Sequence, residues 1–73
     1  VMSHATVRAT ILPEIVGLIC KNNKVSEMKA LDMFYSSATG ANFADDNTGL
    51  YGQSPLYIYG LFENEMKKNM NND

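Results

Sequence analysis

Apolar side chains recur at helical spacing in three stretches of the chain, each with its own start and stop signals. In the first, Ile11, Leu12, Ile15, Val16, Leu18, Ile19 and Cys20 fall on one broad arc, with Glu14, Gly17 and Lys21 opposite. Pro13 removes a backbone donor and crowds the preceding turn, so it belongs in a first turn. The pattern therefore predicts a helix over about 11–22, capped by Thr10 and ended by a left-handed turn at Asn22-Asn23. An earlier start would demand a kink at Pro13.

Ser26 is placed to cap a second helix over 26–37, with Glu27 at the positive end of its dipole and Val25 as an apolar staple. Met28, Ala30, Leu31, Phe34, Tyr35 and Ala38 form its apolar face; Lys29, Asp32, Ser36 and Ser37 form the other. Met33 falls outside the pattern and reads as exposed. The third helix, over 54–68, carries the most information. Ser54 offers a capping oxygen, and Pro55 stands at the first helical position, where its missing N–H costs nothing. Pro55, Ile58, Tyr59, Phe62 and Met66 line one face, and Tyr57 and Leu61 make a second apolar patch elsewhere on it. No charge appears before Glu63, and a helix apolar all round at one end is usually covered from more than one side.

Between the second and third helices, 38–53 is a connector with Gly40, Gly49 and Gly52 and the run Asp45-Asp46-Asn47-Thr48-Gly49, which is strong turn chemistry. One helical turn over Ala41 to Asp45 would tuck Phe43 into the core, with Leu50 and Tyr51 anchoring the far end. The predicted fold is all-α: a three-helix domain (11–22, 26–37, 54–68) with a structured acidic connector. A flexible segment, 1–9, precedes the single domain, 10–68, and a frayed tail, 69–73, follows it. Val1 ahead of Met2 reads as a vector remnant.

Six Lys+Arg against eight Asp+Glu give a formal charge of −2, which argues against a nucleic-acid partner. Neither a membrane-spanning run nor a signal-peptide pattern is present, so no membrane partner is expected. A single cysteine, Cys20, cannot close an internal disulfide and suits a reducing, cytoplasmic setting. Ordering costs on the order of 1.5 kcal/mol per residue, so a domain this small has little surplus stability. A second copy or a tight partner is one way to gain burial.

Catalytic chemistry is sparse. With Gly49 as the sixth position of a calcium loop, Ala44 and Pro55 would occupy the first and twelfth, so the acidic run reads as a solvated turn. Ser54 lacks the second glycine of a nucleophile elbow, because Leu56 stands there, and the only histidine, His4, lies in the lead-in. Cys20 reads as a small buried hydrophobe, and one Cys with one His makes no metal site of ordinary spacing. Asp45, Asp46, Glu63 and Glu65 read as solvated surface. No catalytic, cofactor or metal residues are predicted, and no enzyme. Among four tyrosines, Tyr35 and Tyr59 suit the edge of a thin core, whereas Tyr57 with Leu61 is the candidate interface.

The stretch Ala30-Leu31, Phe34-Tyr35-Ser36-Ser37, the acidic turn, Gly49-Leu50-Tyr51 and Ser54-Pro55-Leu56-Tyr57 resembles a group of small bacterial domains of unknown function, found in gut bacteria and mobile elements. Their shared features are an apolar first helix, F-Y-x-S ending the second, an acidic linker and S-P-x-Y opening the third. The likeness covers about residues 10–68. Thr39-Gly40-Ala41-Asn42 is smaller than that pattern expects, which weighs against a connecting helix there. Relatives often lie beside a gene resembling ADP-ribosyltransferases, so the resemblance implies an antitoxin-like protein that neutralises a neighbouring partner. No site residues carry over. The expected function is a cytoplasmic protein–protein interaction module; the alternative is a homo-oligomeric structural or regulatory protein, a homodimer for example, with no catalytic activity.

Overall fold

Phe34 sits at the centre of the core with no exposed surface. The aromatic rings of Phe43 and Phe62 pack on it with centroids at 5.5 Å and 6.0 Å. The structure, a computed structural model, describes residues 4–71, and for 70 and 71 the backbone only. Around Phe34 run four helices: α1 (His4–Asn23), α2 (Glu27–Tyr35), α3 (Ala38–Ala44) and α4 (Pro55–Asn71). Two 3₁₀ turns, Asp46–Thr48 and Leu50–Gly52, lead from α3 into α4. Helix α1 packs against α2 and α4, and α3 bridges α2 and α4 from the other end. The core takes Ile15, Val16 and Ile19 from α1, Ala30 from α2 and Ile58, Tyr59 and Phe62 from α4. The all-α class is as expected, with a fourth helix where the connector was placed.

The first helix starts at His4, not at residue 11, so Pro13 lies inside it. Residues 4–9, expected as a flexible lead-in, are helical. Thr10 does not cap: its hydroxyl donates to the Thr6 carbonyl at 2.8 Å, one turn back. Pro13 cannot supply the N–H that the Ala9 carbonyl would take, and both residues are exposed, where water can compensate. The early turns are held from outside: Arg8 donates to Asp46, and the His4 ring lies 4.5 Å from that of Tyr51. The left-handed residue at the other end is Lys24 (φ 55°), not an asparagine, and its N–H reaches the Cys20 carbonyl at 2.8 Å. Asn22 and Asn23 instead turn their side-chain amides to the Leu18 and Ile19 carbonyls.

Ser26 caps α2 as expected, its oxygen accepting from Lys29 N–H at 3.1 Å. The helix stops at Tyr35, two residues short of the expected 37, because Ser37 adopts an extended backbone and caps α3. Its buried side is also rotated: Ala30 and Phe34 face the core with Met33 packed beside them, whereas Met28, Leu31 and Tyr35 are exposed. Ser54 caps α4, accepting from Tyr57 N–H at 3.1 Å, and the helix runs three residues past 68. Of the expected frayed tail, 69–71 continue α4, and 72–73 lie outside the described residues.

The α2–α3 corner is tight. The Ser37 hydroxyl donates to the Phe34 carbonyl and accepts from Gly40 N–H at 2.9 Å. Gly40 packs so closely that an added Cβ would lie 1.8 Å from the Phe34 carbonyl oxygen. The small residue at 40 is therefore what admits α3, rather than a sign against it. The first N–H groups of α3 have no partner within the helix. Glu65 of α4 fills that role: one carboxylate oxygen accepts from Ala38 N–H at 2.8 Å, the other from Thr39 N–H at 2.9 Å and the Thr39 hydroxyl at 2.8 Å. Glu65 is thus a cross-helix cap, not the solvated surface group expected.

Gly40→Ala is expected to cost at least about 2 kcal/mol, since the clash is with backbone and cannot relax by a rotamer change. Gly60→Ala, a helix-interior change into open space, should instead gain roughly 0.5–1 kcal/mol. Urea unfolding of both variants against wild type checks the pair; equal effects would contradict the corner geometry.

Burial pushes the Glu65 carboxyl up, but the Ala38 and Thr39 hydrogen bonds outweigh it and hold it below its ordinary 4.5. A depressed carboxylate stabilises the fold fully above its unfolded value, and that contribution fades as pH falls through the folded value. The melting temperature should be flat from neutrality to about pH 5 and then drop on acidification. In Glu65→Gln, which keeps an acceptor but no titration, the neutral-pH value should be lower and the acid drop shallower. Equal acid slopes in the two proteins would contradict the capping role.

Candidate docking surface

The residues that invite a chemical reading are occupied structurally. The Ser54 oxygen caps α4, and Cys20 is half-buried against the core. The acidic run is a folded turn: Asp45 accepts from Asn47 N–H at 2.9 Å, and Gly49 takes the left-handed conformation (φ 69°) that closes it. The Thr48 hydroxyl accepts from Leu50 N–H at 3.2 Å and contacts the Asn42 and Asp45 carbonyls. Asp46 is exposed but not merely solvated. Its carboxyl is held below the usual range, first by the Arg8 hydrogen bond and then by His4, whose Nδ1 lies 3.5 Å away. The Arg8 guanidinium also lies over the Tyr51 ring, 5.8 Å from its centroid. These contacts tie the turn to α1. Among the described residues, no group of three or more His, Cys, Asp and Glu is arranged to hold a metal ion.

What the surface offers is apolar area. Met28 is 84 % exposed and Leu31 borders the same open groove of about 540 Å³ between α1 and α2, with Leu12, Val16 and Cys20 lining it. On the other side of α1 a second groove, of about 480 Å³, runs past Leu18 to Pro55 and Leu56, the last 68 % exposed. Gly17 borders both grooves. The outer side of α1 is thus a low ridge with an apolar trough along each flank. Reading one broad apolar face on α2 missed this: 30, 33 and 34 form the inward stripe, and 28, 31 and 35 a second stripe beside it. That doubling at i, i+3 and i+7 is the signal in the sequence.

Tyr57 and Leu61 part company. Tyr57 is 54 % exposed and lines neither groove beside Gly17. Leu61 is half-buried and faces a separate, more polar groove between α3 and α4, with Thr39, Asn42 and Glu65. Phe43 and Leu50 fold into and against the core, and the connector residues that border Leu61 are Ala38, Thr39 and Asn42. Tyr59 is buried, and its hydroxyl donates to Glu63 at 3.2 Å. Burial, and then the Glu63 charge, pushes that phenol up. Tyr35 stands at the core edge as expected, 45 % exposed with its ring centroid 5.7 Å from that of Phe34.

Comparison with protein-family models, curated proteins and solved structures returned no match, so the resemblance over 10–68 stands on its short motifs alone. No helix among the described residues is long and apolar enough to cross a membrane.

The different settings of Tyr57 and Leu61 predict different costs. Tyr57→Ala should change stability by no more than about 0.5 kcal/mol, as surface substitutions do. Leu61→Ser should cost about 1 kcal/mol or more through lost apolar burial. Chemical denaturation distinguishes them, and equal costs would contradict the placement.

Proposed function

We propose that this chain is a non-catalytic protein–protein interaction module, working in the cytoplasm, whose docking surface is the grooved outer side of α1. The supporting observation is the α1–α2 groove of about 540 Å³ with Met28 and Leu31 at its edge. An exposed methionine adapts to varied contacts, and an apolar trough between helices suits the apolar stripe of another helix. The occupant class is therefore an amphipathic helix. In the antitoxin-like role that the resemblance implies, that helix belongs to the protein being neutralised; in a homo-oligomer it belongs to another copy. The candidate pair Tyr57 and Leu61 is a weaker basis, since only Tyr57 is open.

Met28→Ser with Leu31→Ser tests the reading, because neither side chain supports the buried core. Circular dichroism is expected to show unchanged helix content. Light scattering and co-purification with the product of the neighbouring gene are expected to show weaker association. Wild type that neither self-associates nor co-purifies, or association indifferent to both substitutions, would remove the docking surface.

A further inference from the structure

We propose that the helix crossing this surface is α1 of a second copy, packed antiparallel about a two-fold axis beside Gly17. The inference rests on the docking reading above and names its occupant.

The first reason is Gly17 itself. It lies mid-helix and exposed, and a Cβ there would meet nothing within 4 Å. Glycine in a helix interior costs stability relative to alanine, and here no turn or close neighbour among the described residues requires it. A glycine on a ridge does permit one thing a larger residue prevents, the close approach of a second backbone.

The second reason is charge, and it selects the partner. Glu14 and Lys21 are exposed and flank Gly17 on the same side of α1, at three residues before it and four after. They are about 10 Å apart along the axis, too far to pair with each other. Neither has an ion-pair partner among the described residues. When two copies of α1 cross antiparallel at Gly17, Glu14 of one meets Lys21 of the other, and the symmetry repeats the pair on the far side. A parallel crossing sets like charges together. A two-fold interface needs such a self-complementary pattern, and opposite charges three residues before and four after a glycine supply it when the axis falls between Gly17 and Leu18. The exposed Met28 and Leu56 stand on opposite flanks of the ridge, where they can fill the grooves of the facing copy.

Sedimentation velocity of the full chain across a concentration series is expected to show a dimer of twice the 8.1 kDa chain mass. Gly17→Leu should make it monomeric while circular dichroism shows equal or greater helix content. Glu14→Lys alone and Lys21→Glu alone should each weaken the dimer roughly two- to thirtyfold, from two exposed ion pairs per interface. The double exchange should restore it. A wild type monomeric throughout, a dimer indifferent to Gly17→Leu, or a double exchange without rescue overturns the proposal. If a monomeric wild type still co-purifies with the neighbouring gene product and Gly17→Leu abolishes that, the docking surface stands and only the second copy is wrong. If Gly17→Leu changes neither kind of association, both fall.

Discussion

The contact on which the rest of this structure depends is the meeting of Gly40 with the Phe34 carbonyl at the α2–α3 corner. It lets a seven-residue helix lie against the end of another with no side chain between them. Phe34 is thereby covered by Phe43 on one side while Phe62 reaches it from α4. A helix this short has no stability of its own. It persists because its own cap, Ser37, is joined by a second from α4, Glu65, whose bonds span 26 and 27 residues. Charge-assisted bonds to free backbone N–H groups are among the stronger ones available to a small domain. Here they fasten the corner to the longest core helix after α1.

A similar arrangement holds the opposite end. The first turns of α1 begin far ahead of its apolar arc, and a proline interrupts them. They depend on the acidic turn, through Asp46 with Arg8 and through the contacts of His4 and Arg8 with the Tyr51 ring. The connector thus has two distinct jobs. Its first half inserts Phe43 into the core, and its second half is a bracket for α1. Neither job needs a cofactor or a metal, and the acidic residues are explained by the bracket and by the turn that Asp45 caps.

How much of this was legible in the sequence follows from the range of each interaction. Ser26 and Ser54 cap across three residues, so their roles could be read directly, as could the arcs of α1 and α4. The α1 start could not, because the Arg8–Asp46 pair spans 38 residues. Glu65 looked like surface for the same reason: its partners lie in another helix. In α2 the miss was of orientation, since two apolar stripes are both present and only packing decides which turns inward. Gly40 looked out of place because its reason for being small is a carbonyl six residues earlier, across a corner that local pattern does not reveal. For the docking surface, the doubled stripe of α2 was readable and the separation of Tyr57 from Leu61 was not.

Of the helical glycines at 17, 40 and 60, those at 40 and 17 make the contrast that matters most for function. Both are costly in a helix by about 1 kcal/mol relative to alanine. At 40 the cost is offset within the chain, by the burial of Phe34 and Phe43 that the close corner permits. At 17 nothing among the described residues offsets it, and the same side of α1 carries opposite charges with no ion-pair partner among them and an apolar trough on each flank. A domain of this size has little stability to lose. Features that weaken the isolated chain cluster here on one face of α1, and the proposed contact through that face is what would offset them.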